Sequence, residues 1–349
     1  MKKSILFMTC FSCFLEADCS LYTGIDYILW FANEDGLSYA TKTKTTLPVN
    51  DFTSLSETDK FLKNGWQSGV RGTLGIELPL LDTNLSYTYY KTTAQETSSA
   101  DSDSIHSSST DSSAGTIFLN DASYQLFQQF PCVMQSNVSA NWSLVFDRLD
   151  LEFGKNIPLA THFSLKPFLG VEGLYIHQKL QGEFLASTQS LDTGLPLNNV
   201  VQTYNKEKFL SIGSRVGVYS TFIMKYGFSL TGLLAGSILW GTFTIDQTFQ
   251  QTQEGDLLAK ETIDHSHYAS IFNCDIGAWF NWKHTFTKSL CALELKIGWE
   301  QHIYTNINQF QDFYASSINS EGVVYAFDRN IQHGDLSLSG LVFGISCSY

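Results

Sequence analysis

No stretch of this 349-residue chain approaches the 18 uninterrupted apolar residues of a membrane-spanning helix, yet apolar side chains recur at every second position in segment after segment. The last fourteen residues, "LSLSGLVFGISCSY", show it most clearly. Leu341, Phe343, Ile345, Cys347 and Tyr349 alternate with Gly340, Val342, Gly344, Ser346 and Ser348. Successive side chains of a strand point to opposite faces, so this period of two predicts a strand with one apolar face and one small or polar face. Chain ends fray unless they are held, so so regular an end predicts a closing strand paired with the first.

The chain opens with "MKKSILFMTCFSCFLEADCS", two lysines followed by an apolar run too short to span a bilayer as a helix. That is the layout of an export signal, which we place at residues 1–19, with cleavage after Cys19. The remainder, 20–349, is read as one domain. Only 16% of the chain is charged, against about 25% in soluble domains. The net charge of −13 argues against nucleic acid and anionic lipid surfaces as partners.

Alternation recurs along the chain. In "WQSGVRGTLGIEL", Trp66, Val70, Leu74, Ile76 and Leu78 oppose Gln67, Gly69, Arg71, Thr73 and Glu77. In "CALELKIGWE", Leu293, Leu295, Ile297 and Trp299 oppose Glu294, Lys296, Gly298 and Glu300. Connections alternate as well: short links fall at 79–84, 154–161, 224–227 and 283–289, and long ones at 34–64, 92–139, 181–207, 244–267 and 306–335. With a first strand at Leu21 to Phe31, the pattern predicts an all-β, transmembrane, antiparallel up-and-down β-barrel of ten strands, with twelve as the alternative. Short turns at one end, long loops at the other and an even strand count are the organisation of an outer-membrane barrel.

One segment breaks phase. In "NWSLVFDRLDLEFG" the apolar set runs Trp142, Leu144, Phe146, then Leu149, Leu151, Phe153, and a bulge at Asp147 and Arg148 would keep both runs on the lipid face. Aromatic residues gather toward strand ends, as membrane interfaces select; Trp30, Trp66, Trp240, Trp282, Trp299 and Tyr349 are the expected anchors, with Trp142 and Tyr175 also assigned to the outer belt.

If the apolar face meets lipid, then Arg71, Glu77, Lys166, Glu172, Arg215, Asp275, Lys283, Glu294, Lys296 and Glu300 line the lumen. They read either as a selective channel lining or as ion pairs that fill a narrow barrel. The stretch "IFLNDASYQLFQQFPCVMQ" is a candidate inward plug. Cys274, Cys291 and Cys347 fall on the lipid face, leaving Cys132 as the candidate for an intermolecular disulfide. No metal-ligand spacing is legible and no cofactor is implied; "DHSH", Asp264 to His267, is the acid and histidine cluster considered for catalysis, and its loop position argues for solvation instead.

Three stretches carry a family resemblance: "LYTGIDYILWFANEDGLSYAT", "GWQSGVRGTLGIELPLLDTNLSYTYYKT" and "RLDLEFGKNIPLATHFSLKPFLGVEGLYIHQKL". In order and spacing they resemble the Legionella-type major outer membrane protein family, which also occurs in chlamydia-related bacteria. The motifs lie between residues 21 and 180. The resemblance implies a pore-forming barrel without enzymatic activity, and it carries over no catalytic residues. The expectation is therefore a multi-pass barrel in the outer membrane of a Gram-negative bacterium, a porin-like diffusion pore for small hydrophilic solutes; a closed barrel serving as adhesin or envelope structural protein is the alternative. Its expected partners are outer-membrane lipid, the barrel-assembly machinery through the C-terminal strand, and further copies in a homo-oligomer.

Overall fold

The computed structural model describes residues 20–46, 54–101, 113–119, 133–189, 196–286, 291–318, 324–331 and 334–349. The expected leader at 1–19, most of the expected plug and Cys132 lie outside the described residues. No described helix is long and apolar enough to cross a membrane.

Ten strands pair antiparallel in chain order: β1 (Ser20–Glu34), β2 (Gln67–Glu77), β3 (Asp82–Asp101), β4 (Val133–Gly154), β5 (Phe163–Gln189), β6 (Pro196–Ile223), β7 (Phe228–Gln253), β8 (Asp256–Phe286), β9 (Cys291–Asn308) and β10 (Gly334–Ser348). A short strand, Ile157–Ala160, folds back on the start of β5. The ring closes where β10 lies between β9 and β1, in step from Tyr22 opposite Ser348 to Glu34 opposite Leu336. Leu21 and Tyr349 exchange both backbone hydrogen bonds, at 3.1 and 2.8 Å. The chain end is thus held on both sides. Closure matters because lipid offers no partner for a free backbone edge.

The strands are much longer than a bilayer needs. A tilted strand crosses in about 9–11 residues, whereas β5 to β8 have 27, 28, 26 and 31. The excess lies at the long-loop end, so the expected loops 181–207 and 244–267 are strand for most of their length, the latter closing in a tight turn at Glu254 and Gly255, both with positive φ (50° and 93°). Likewise β3 and β4 pair as far as Asp101 opposite Gln135, inside the expected loop 92–139. The expected loop 34–64 carries two strands, Ser38–Thr46 and Ser54–Phe61, that form a small sheet with Ser113–Leu119. Within 306–335, Gln311–Ile318 pairs with Val324–Ile331.

Each long strand meets two surroundings in turn. On β4 the short-turn half points Leu149, Leu151 and Phe153 outward and Arg148, Asp150 and Glu152 inward; the distal half buries Phe146, Leu144, Trp142, Ala140 and Val138. The register runs in step through this change, with Tyr89 opposite Asp147 and Thr88 opposite Arg148, and Asp147 in turn opposite Tyr175. There is no bulge at Asp147 and Arg148, and Trp142, Leu144 and Phe146 face the lumen, not lipid. The apolar set changes face because the solvent outside the barrel changes from lipid to water. The same inversion occurs on β6, between outward Leu210, Ile212 and Val216 and inward Phe209 and Val201, and on β1, between outward Ile25 and Tyr27 and inward Ile28 and Trp30. Above it the outer face is polar: Lys206 and Asp246 form an outward ion pair at 3.1 Å.

The girdle is correspondingly smaller than expected. Phe31, Trp66 and Trp299 touch one another on the outer face, with ring centroids 5.3 to 6.4 Å apart, and Trp240 is exposed near the same level. Trp282 is outward and Tyr349 exposed at the short-turn end. Trp30 is not an anchor: it shares the parity of Asp26 and is 1% exposed in the lumen. Cys274, Cys291 and Cys347 have outward parity and are unbridged. Cys274 stands opposite Ile303.

The inversion sets different tolerances along one strand. Ile276→Lys, on the outer face level with the buried Asp275, should destabilise the folded barrel by about 2–4 kcal/mol. Tyr268→Lys, eight residues nearer the distal end on the same strand face, should change it by less than about 0.5 kcal/mol. Unfolding equilibria in lipid vesicles measure both.

Candidate functional site: the barrel lumen

The lumen is built by the inward parity of ten strands, and its contents come in three layers. Nearest the short turns is a cavity of about 430 Å³ that reaches Asn156, Lys166 and Ile223. Tyr22, Asp26, Arg71, Glu77, Glu294 and Lys296 are in its wall, and Lys283 lines a smaller neighbouring cavity with Glu77 and Glu294. Lys296 reaches Asp26 at 2.8 Å, and Lys166 reaches Asp82 at 3.1 Å.

Above the cavity a layer of ion pairs crosses from wall to wall. Arg71 on β2 donates both terminal nitrogens to Glu300 on β9, at 2.8 and 2.6 Å. Arg148 on β4 does the same to Asp275 on β8, at 3.2 and 2.7 Å. Arg215 on β6 pairs with Asp275, with Glu172 at 3.2 Å and with Glu152 at 3.2 Å. His302 stands 2.6 Å from Asp275 and 3.3 Å from Glu300, joining the two clusters. Ser237, Asn273 and Trp279 donate to the same carboxylates. Such bidentate, charge-assisted pairs are directional as well as strong. Glu172, Asp275, Arg148 and Arg215 are nearly or fully buried, so the layer holds its charges by mutual contact in place of water.

The distal layer is an apolar core. Trp30, Tyr90, Trp142, Phe146, Phe184, Phe209, Phe243 and Tyr304 are all buried to within 1%. Phe209 and Phe243 stack at 4.2 Å, and Trp30 lies 5.6 Å from Tyr90 and 4.8 Å from His302, tying the core to the ion layer. A segment turns inward at the distal end: beyond Tyr304 the pairing of β9 with β8 ends and that with β10 is interrupted until Asn308 opposite Gly334, Asn306 takes a left-handed φ of 54°, and Ile307, Asn308, Gln309 and Phe310 are buried. The inward segment among the described residues therefore comes from the start of the 306–335 connection.

All ten sequence-derived lumen residues have inward parity, but they divide in use. Glu172, Arg215, Asp275 and Glu300 belong to the crossing layer, with Arg71 at its margin; Glu77, Lys166, Lys283, Glu294 and Lys296 belong to the cavities. The expected bulge obscured Arg148; Asp150 and Glu152 oppose the outward Leu149, Leu151 and Phe153 with or without it, and strict alternation in "RLDLE" puts all three on one face. His302 follows from its spacing of two from Glu300, and Asp26 was obscured because Trp30, four residues on, was read as an interface anchor. The lumenal glycines are sockets for large neighbours: a methyl at Gly344 would collide with Asp26 Oδ1 and stand 2.6 Å from Lys296 Cε. The "DHSH" stretch is on β8, not in a loop; the rings of His265 and His267 stack at 5.6 Å and Asp264 has the opposite parity, turned away from them. No group of metal-ligating side chains is found among the described residues.

The family described as Legionella pneumophila major outer membrane protein precursor matches residues 23–349. The chain belongs to that family. No curated protein matches. Among solved structures, the outer membrane protease OmpT of Escherichia coli aligns over 96% of this chain and 97% of its own, at 8% identity and a TM-score of 0.38. A deletion mutant of the monoaromatic hydrocarbon channel TodX aligns over 96% and 91%, at 9% identity and a TM-score of 0.28. A FadL homologue of Pseudomonas aeruginosa aligns over 96% and 90%, at 7% and 0.21. These likenesses carry no functional argument. This member of the major outer membrane protein family is an outer-membrane β-barrel, and its fold rests on the closed ring of strand pairs.

The ion layer predicts an asymmetry between its arginines and the cavity lysines. Arg148→Ala takes one of its cationic partners from each of the buried Asp275 and Asp150, leaving Arg215 between them, and should destabilise the barrel by about 3–5 kcal/mol. Lys166→Ala, whose ion pair is partly solvated, should cost about 0–1 kcal/mol. Urea midpoints of the two variants in the same vesicles decide it.

Proposed function

We propose that this major outer membrane protein acts as a closed barrel, an envelope and surface protein whose working part is the rigid wall that β3 to β8 raise beyond the membrane. The observation that carries the reading is the continuous filling of the lumen, from the Arg148–Asp275 layer through the Trp142–Phe209 core to the inward segment at 307–310. Beyond the residues needed to cross, β7 and β8 extend by roughly 15 more, about 50 Å of strand at about 3.3 Å per residue. A hydrophobic core maintained outside the membrane suits a stiff platform for surface contacts. It has no use in a simple channel mouth.

A second reading, the diffusion pore implied by the family resemblance, is favoured by the charged cavity of about 430 Å³ at the short-turn end. On that reading the ion layer is a barrier that some condition removes.

Planar-bilayer recording of the refolded mature protein separates the two. The closed reading expects no conductance steps from protein shown to be folded; stable ohmic steps would overturn it in favour of the pore. For partners, the paired Tyr349 end is the surface offered to the assembly machinery. Replacing Tyr349 with Asp should lower the yield of heat-modifiable barrel in the outer membrane several-fold, and unchanged yield would remove that role.

A further inference from the structure

Two carboxylates lie inside the distal apolar core, above the membrane band. Glu34 ends β1 and is buried; Glu207 on β6 is 1% exposed. They flank the same side chain: Gln178 on β5 donates from Nε2 to Glu34 Oε1 at 2.9 Å and stands directly opposite Glu207 in the ladder. Gln178 is itself fixed by Trp142 Nε1, at 3.0 Å. Glu207 Oε2 accepts the backbone N–H of Gln309 at 2.9 Å, and Asn308 donates to the carbonyl of Asp35 at 3.0 Å, so the inward segment is tied to β6 and to the end of β1. The second oxygens, Glu34 Oε2 and Glu207 Oε1, meet no donor among the described residues.

Among the described residues no cation pairs with either carboxylate. The groups facing it are Gln178 of β5, Ile245 of β7 opposite Glu207, Leu336 of β10 opposite Glu34, and Gln309 of the inward segment. The charge acting on Glu34 is that of Asp35, and the charge acting on Glu207 is that of Glu34. Lys206 and Lys208 flank Glu207 in sequence but have outward parity, and Lys206 is committed to Asp246. Two like charges in an apolar site cannot both remain ionised without a counter-ion.

We propose that the buried, unpaired carboxyls of Glu34 and Glu207 each hold an exchangeable proton, and that these protons latch the segment Asn306–Phe310 over the distal core. Burial pushes the Glu34 carboxyl up to about 8, with Asp35 adding to the rise and the Gln178 bond opposing it. Burial, then the charge of Glu34, holds Glu207 well above the usual carboxylate range, against the Gln309 bond. The sign follows from proton uptake by the latched state. Below about 4.5, the ordinary value, latched and open states are both protonated and latching is unpenalised. As pH rises toward about 8 the open state loses protons that the latched state keeps, so the latch loosens across that window and stays loosened above it. This inference rests on the tie between Glu207 and Gln309 and stands whether the barrel is a closed platform or a pore.

Hydrogen–deuterium exchange of the refolded full-length barrel at pH 5, 7 and 9, corrected for intrinsic rates, tests it. The 306–310 segment should open more with rising pH, by up to about tenfold per unit for one proton. The strand pairs around Leu234 and Ile276 serve as the pH-insensitive reference. Glu207→Gln and Glu34→Gln, each checked for heat-modifiability, should flatten the dependence, and the second variant guards against a folding defect in the first. Equal protection of wild type at all three pH values, or an unaltered slope in both variants, would overturn the proposal. So would full restoration of protection at pH 9 by calcium chloride alone, which would reassign the pair to a metal ion.

Discussion

The closed ring of backbone hydrogen bonds is the constraint from which everything else here follows. Once β10 is held between β9 and β1, every strand has a fixed inside and outside, and alternation assigns the side chains of each in-step ladder to one or the other. A shift of one residue in any ladder would carry Arg148 or Asp275 into lipid and Leu149 or Ile276 into the lumen. Register and polarity therefore enforce each other. The in-step pairing through Asp147 and Arg148 shows that the protein meets a change of solvent by changing side chains, keeping the ladder intact.

That change of solvent divides the molecule into two proteins with one backbone. In the membrane band the exterior is apolar and the interior must be something other than apolar core, so charges cross-link the walls. Beyond the band the exterior is wet, and the interior can collapse like that of a soluble domain. The two interiors meet at Trp30, His302 and Tyr304, where aromatic rings rest on the ion layer. Buried ion pairs contribute little net stability compared with apolar packing, but breaking one is costly, so the layer specifies the arrangement of strands more than it deepens the energy well. A lumen of ten strands is narrow enough for side chains to span it.

The acid pair at Glu34 and Glu207 is the exception to this division, since it places charge-bearing groups in the layer that could have been wholly apolar. It sits where the inward segment docks, on groups from β1, β5 and β6 at once. A polar contact at such a junction gives the segment a defined seat, which an apolar surface alone does not.

The sequence by itself determined the class of fold, the strand number, the inward parity of Arg71, Glu172, Arg215, Asp275 and Glu300, the outward parity of the terminal strand and the family, because all of these are local alternation or local motif. It was misread at "NWSLVFDRLDLEFG" and at Trp30, where an apolar residue was assumed to face lipid. Period two says which residues share a face, but not what lies against that face, and in a strand that leaves the membrane the answer changes part-way along. Only the tertiary structure decided that the long connections are strands, since pairing between hairpins is non-local. It alone decided that the lumenal charges join across the barrel, because Arg148 and Asp275 are 127 residues apart and meet only when the ring closes. It alone placed Gln309 on Glu207, a contact between a connection and a strand face that no spacing in the chain encodes.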